Sequence, residues 1–234
     1  MKDSKTQDNI EHMSSEEKYE VLNRIRELDI ITDKDIEILR ILSYDKGDEI
    51  RSDVADILGN SASLEAENIL IRLLQDKGGL VRACSCESLY YSNSLEVLNL
   101  LIDIIKKDKT GLVRGYAATS IANILITTNK EKEKYIKFFE LLIKKEKVKW
   151  VTINIYKALY ALGESEYLFK LLDEIKNKYY IKRSLAVNLL LDVVTVDNRD
   201  LIASSLEEAL KTEKNNVVKS IIRRALKDIY DECL

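Results

Sequence analysis

The chain has no proline, only seven glycines in 234 residues, one histidine and three cysteines. At an average usage of about 5%, a chain this long would carry roughly a dozen prolines. Sandwiches, barrels and polyproline linkers lean on Pro and Gly in their turns, so this composition argues for a nearly all-helical chain. The single histidine, His12, sits in a polar N-terminal stretch, which removes Ser-His-Asp and Cys-His catalysis from consideration. No P-loop or G-x-G-x-x-G pattern occurs. Cys84 and Cys86 would point about 200° apart on a helix and cannot bridge each other. Neither they nor Cys233 form a metal or redox signature, so no metal and no cofactor is expected. An odd cysteine count without a framework fits a reducing compartment. No apolar run approaches the 18 residues of a span, and MKDSKTQDNIEHM has no apolar signal core. The expectation is a cytoplasmic protein with no membrane partner.

What is present is abundant Leu, Ile and Val, enough to fill a core and to exclude disorder throughout. Charge is uneven. Residues 1–117 carry −7 and residues 118–234 carry +4, a polarity that can steer the approach of a partner. This is far from the strong basicity of a dedicated nucleic-acid binder.

The chain repeats itself. DKGDEIRSDVADIL at 45–58, DKGGLVRACSCESL at 76–89 and DKTGLVRGYAATSI at 108–121 share one frame, and S-x-S-L-E recurs at 61–65 and 92–96. With Arg51, Arg82 and Arg114 as position zero, an acid lies six residues earlier (Asp45, Asp76, Asp108) and a lysine follows it. A small residue comes four later (Ala55, Cys86, Ala118), and Leu or Ile seven later. The frame continues more weakly with Thr152, Lys182 and Lys219 as anchors.

Each unit reads as two antiparallel helices. The first helices cover about 33–43, 64–75, 95–107, 132–145, 165–177 and 198–212. The second cover about 48–59, 79–91, 111–126, 149–162, 180–194 and 216–231. A separate helix at 15–28 precedes them, started by a Ser14/Glu17 capping box. The units run 33–60, 61–92, 93–127, 128–163, 164–195 and 196–234, within one domain over 14–234. Residues 1–13 are polar and expected to be a disordered tail. A lone helix pair cannot bury its apolar stripe, so the pairs must stack.

The pattern of an acid, then Val-Arg, a small residue at +4 and Leu at +7 resembles HEAT repeats, especially the short bacterial kind found in bilin-lyase-like proteins. The resemblance covers about 33–234 and is clearest around Arg51, Arg82 and Arg114. It implies an all-α fold, a right-handed α-α superhelix of about six helix pairs plus an N-terminal helix. The units are shorter than the usual 40–47 residues, and units four to six lack the Arg.

On a helix, positions −1, +3, +4 and +7 average to a direction about 35° from position zero. The ladder Arg51, Arg82 and Arg114 therefore leans towards the core edge and needs partners, for which Asp45, Asp76 and Asp108 are the natural candidates. It is read as scaffold. In HEAT-like arrays the second helices line the concave face, so the resemblance implies a partner-binding surface there. In units one and two it holds Asp53, Asp56, Glu87 and Tyr91. Units three and four add Tyr116, Thr119, Asn123, Asn154 and Lys157, and units five and six add Arg183, Val187, Leu191 and Arg224. Ile153, Val187, Leu191 and Ile221 form either an exposed apolar strip or, if the register slips, core.

The leading expectation is a non-catalytic module that holds a protein partner on this face. The alternative is nucleic-acid binding, as in HEAT-like DNA glycosylases, through Lys147, Lys149, Trp150, Lys176, Lys178, Tyr179, Tyr180, Lys182 and Arg183. A bilin-lyase-like protein is an outside alternative implied only by the repeat type.

Overall fold

The computed structural model describes residues 10 and 12–231. Among them are thirteen α-helices, a short 3-10 turn at Leu89–Tyr91 and no strand. Packing divides the chain into two compact units, one ending at Thr128 and the other starting at Asn129, where the sequence leads to one continuous domain. The division falls at Asn129, whose φ of 49° lies in the left-handed region that Asn tolerates. The expected tail lies mostly outside the described residues; within it, Ile10 is buried and His12 is exposed.

The first unit begins with α1 (Ser15–Arg26) and continues as three pairs: α2 (Asp33–Leu42) with α3 (Asp48–Leu58), α4 (Leu64–Leu73) with α5 (Gly79–Ser88), and α6 (Leu95–Lys107) with α7 (Gly111–Thr127). The second unit holds α8 (Glu133–Ile143) with α9 (Lys149–Ala161), α10 (Glu166–Glu174) with α11 (Tyr180–Leu191), and α12 (Arg199–Thr212) with α13 (Asn216–Asp231). All six second helices begin at the expected residue.

Local chemistry explains the starts. Ser14 and Glu17 form the capping box of α1, with Glu17 N–H donating to Ser14 Oγ and Ser14 N–H to Glu17 Oε2. The recurrent S-x-S turns out to be a capping device. Ser63 and Ser94 cap α4 and α6, while Ser61 and Ser92 each accept the amide of the serine two residues on.

The turn inside each pair is built the same way six times. The residue at −6 accepts the amide two residues later: Asp45 from Gly47, Asp76 from Gly78, Asp108 from Thr110, Glu146 from Val148, Asn177 from Tyr179 and Glu213 from Asn215. This stands in for a side-chain cap, which none of the second helices with a described N-cap has.

The arginines then tie repeat to repeat. Arg51 Nε and Nη2 donate to Asp76 of the following repeat at 2.7 and 2.8 Å, while Nη1 donates to the carbonyls of Asp45 and Lys46 in its own turn. Arg82 does the same with Asp108, at 2.7 and 3.0 Å, and with the carbonyls of Asp76 and Lys77. Arg114 Nη1 donates to the carbonyl of Asp108. The Arg51 and Arg82 guanidinium groups thus each fill a fork with a carboxylate on one side and a turn on the other, a geometry a lysine cannot reproduce.

Arg183 makes the full set in the second unit: Nε and Nη2 to Glu213 at 2.6 and 2.8 Å, Nη1 to the carbonyls of Asn177 and Lys178. The anchor of the fifth repeat is therefore Arg183 and not Lys182, a slip of one residue in the sequence frame. The correction is physically coherent. Position −6 becomes Asn177, which needs no charge because the preceding anchor is Thr152. Position +4 becomes Val187, buried like Ala55, Cys86 and Ala118.

The N-terminal helix belongs to the same scheme. Lys18 Nζ pairs with Asp45 at 2.7 Å, so α1 presents to the first repeat what α3 and α5 present to the next. The helices approach closely here: a β-carbon at Gly59, after α3, would lie 2.8 Å from Ser88 Oγ at the end of α5. Ser120 Oγ also donates to the carbonyl of Cys86, tying α7 to α5.

The clamps set an acid limit on stability. The Arg51 hydrogen bonds hold Asp76 below the usual carboxylate range against the opposing effect of burial, and Arg183 does the same for Glu213. Burial alone would raise Asp108, but Arg82 and the Thr110 amide together bring it down. A carboxylate whose folded pKa is depressed contributes stability that is complete above its unfolded value, about 4, and is lost as pH falls through the folded value. Unfolding free energies measured from pH 7 downwards should stay level to about pH 5 and drop below about pH 4. Arg82→Ala should flatten that drop.

Candidate protein-binding face

The outward side of the second helices in the first unit gathers most of the expected residues. Asp53 and Asp56 on α3 face Arg26 of α1, at 3.1 and 3.7 Å, and Glu49 accepts the Tyr19 hydroxyl at 3.0 Å. On α5, Cys84 is half-buried, and burial followed by Asp56, Glu87 and Asp53 pushes its thiol up to about 11. On α7, Tyr116 is half-buried, and burial followed by Glu87 and Cys84 raises its hydroxyl to about 12. The ring and the thiol therefore lie on the floor of a surface biased negative by the carboxylates around it. Tyr91, 76% exposed and edge-on to Tyr90 with ring centroids 5.0 Å apart, lies past the end of α5, where it lines a hollow with the Gly59–Ser63 and Ser92–Ser94 loops.

Two other expected residues hold the fold here. Thr119 is buried with its hydroxyl on the Tyr116 carbonyl, and Asn123 donates to the carbonyl of Tyr90. Arg26, Tyr19, Glu49 and Cys84 were not expected. The signal for the first two was available, since Lys18 stands where the other second helices carry their anchor.

In the second unit the expected surface mostly dissolves into structure. Asn154 is buried and donates to the Trp150 carbonyl, Lys157 pairs with Asp192 at 2.6 Å, and Arg183 is the clamp. Val187 and Ile153 belong to the core, with Leu191 and Ile221 packed partly buried against it. In the fifth repeat register explains this: with Arg183 as anchor, Val187 moves from the outward +5 to the inward +4. The apolar strip is core. Of the expected groove residues in this unit, Arg224 is exposed.

Among the described residues, no group of three or more His, Cys, Asp or Glu side chains could hold a metal ion, and no helix is long and apolar enough to cross a membrane. Cys86 is fully buried, and burial drives its thiol far above the ordinary range, so it is a packed core residue.

The repeat type can be named on this geometry. Residues 36–122 match the family model for HEAT repeats. The helix pairs of this stretch are HEAT repeats. The match begins within α2 and ends within α7, and so takes in the HEAT repeats centred on Arg51, Arg82 and Arg114. Among solved structures, the chain is similar to one in the complex of CpcE and CpcF of phycocyanin lyase from Nostoc sp. PCC7120, with a TM-score of 0.62, 15% identity, and 93% of this chain and 91% of that one covered. At that identity the likeness is one of fold. Human deoxyhypusine hydroxylase in complex with glycerol aligns over 98% of this chain and 97% of its own, at 17% identity and a TM-score of 0.47. No curated protein matches the sequence.

Proposed function

We propose that the protein is a non-catalytic recognition module that holds a protein partner on the outward face of the second helices in its first unit. The observation that supports this most directly is the negative, partly desolvated floor made by Tyr116 and Cys84 under Asp53, Asp56 and Glu87. Such a floor suits a lysine or arginine of a partner, which would compete with Arg26 for Asp53 and Asp56, and the exposed Tyr91 offers a rigid ring for contact area at low entropic cost. HEAT repeats supply the rigid support, and the CpcE–CpcF neighbour is itself a complex of two proteins.

The nucleic-acid reading loses ground, because three of its residues are engaged. Arg183 is held by Glu213, Lys149 by Glu174, and Trp150 packs against the core of the second unit.

The test is affinity capture from a nuclease-treated lysate of the native host, comparing the full chain with Tyr91→Ala/Asp56→Lys/Glu87→Lys. These side chains lie at the surface, so helical content should be unchanged. Capture of a basic protein partner should fall by about tenfold or more, as expected when a central aromatic and its charge complement are removed. Undiminished capture would place recognition elsewhere.

A further inference from the structure

The turns between paired helices in the second unit carry a feature that neither the repeat scaffold nor the acidic face uses. In and beside its turn the fourth repeat carries Lys144, Lys145 and Lys147, the fifth Lys176, Lys178 and Lys182, the sixth Lys211, Lys214 and Lys219. None of these nine has a carboxylate partner among the described residues. Glu208 lines the same hollow as Lys176, Lys178 and Lys214 without pairing with them, and three further glutamates in and beside the turns are occupied: Glu146 by the Val148 amide, Glu174 by Lys149, Glu213 by Arg183. The last two pairs also join turn four to turn five and turn five to turn six, so the three turns form one edge.

Apolar side chains project from that edge. Val148 is 40% exposed, Ile181 58% and Val217 57%, and Tyr179 and Tyr180 are exposed beside them. The scaffold explains only part of this. The residue at −5 gives its carbonyl to the clamp in repeats one, two and five, which any residue could do, yet it is an exposed lysine in all six.

We propose that this edge docks on an anionic lipid surface. Lysine is a compact charge on a long apolar stem, which lets it reach headgroup phosphates while its stem lies along apolar surface. Tyrosine favours the same interfacial depth, and β-branched aliphatics add buried area below it. A nucleic acid fits less well. Val148, Ile181 and Val217 give nothing to a phosphate backbone, and the Tyr179 ring is covered by the ammonium groups of Lys178 and Lys182 at 4.8 and 4.6 Å, so that of the two tyrosines only Tyr180 is open to stacking. The chain's net charge of −3 does not oppose docking, because charges beyond a Debye length of about 8 Å are screened and the local lysines decide. The absence of a spanning helix bears on crossing a bilayer, whereas surface contact needs none.

The experiment is co-sedimentation of the full chain with vesicles of phosphatidylcholine alone and of phosphatidylcholine with phosphatidylglycerol, across a salt series. Binding should require the anionic lipid and weaken as salt rises. Lys147→Glu/Lys178→Glu/Lys214→Glu should weaken it by about tenfold or more. Ile181→Ser/Val217→Ser should weaken it at every salt concentration. Lys46→Glu/Lys77→Glu/Lys109→Glu, the same charge change in the first unit, should leave it intact. The proposal is overturned if anionic vesicles are ignored at low salt, or if the two lysine triples lose binding equally. Binding of single-stranded oligonucleotide but not of vesicles would overturn it in favour of nucleic acid. This edge shares no residue with the acidic face, so either reading can fail alone.

Discussion

Replacing Arg82 with alanine is expected to lower the melting temperature by roughly 10 °C, corresponding to a loss of about 3 kcal/mol. The side chain joins two repeats at once. Its Nε and Nη2 hold Asp108 and its Nη1 holds the carbonyls of Asp76 and Lys77, with only about a tenth of either charged side chain exposed. Removing one partner strands the other in a poorly hydrated place, and that cost exceeds the net worth of the intact pair. Arg82→Lys should recover only part of the loss, since an ammonium cannot occupy both sides of the fork. Thermal unfolding followed by helical signal decides the matter. An unaltered midpoint for Arg82→Ala would mean that the ladder is dispensable to the scaffold.

The second large effect distinguishes two neighbouring cations. Arg183→Ala should cost about as much as Arg82→Ala, roughly 3 kcal/mol, because it breaks the same clamp with Glu213. Lys182→Ala should cost no more than about 0.5 kcal/mol, as expected for a position near the surface whose ammonium lies over the exposed Tyr179 ring, 4.6 Å from its centroid. Both variants are followed by denaturant unfolding. The reverse order would return the anchor to Lys182 and move Val187 out of the core.

That pair of residues also shows where the sequence is legible and where it is not. The first three repeats declare themselves because Asp and Arg recur at fixed spacing, and each of those letters has a specific job in the turn or the clamp. In the fifth repeat the −6 residue is Asn177 and two cations stand side by side, so the frame fits equally well one position early. The ambiguity resolves only in three dimensions, where Asn177 completes the turn and Thr152 of the preceding repeat offers no guanidinium to neutralise. The error propagates: one step of register moves Val187 from surface to core and turns Arg183 from a groove residue into scaffold. The acidic face was legible in Asp53, Asp56, Glu87, Tyr91 and Tyr116 because the register there was right. Arg26 and Tyr19 were missed because α1 carries a lysine in place of the arginine and so reads as a separate helix.

The clamp has a consequence for how such a chain grows. Arg51 and Arg82 are 31 residues apart, and any segment of that length contains both the acid that receives one arginine and the arginine that seeks the next acid. Copying the segment in tandem therefore supplies a new interface complete, with no compensating change on either neighbour. Length becomes a variable that duplication can adjust one step at a time, while Lys18 on α1 closes the first acid, Asp45, once and for the whole series.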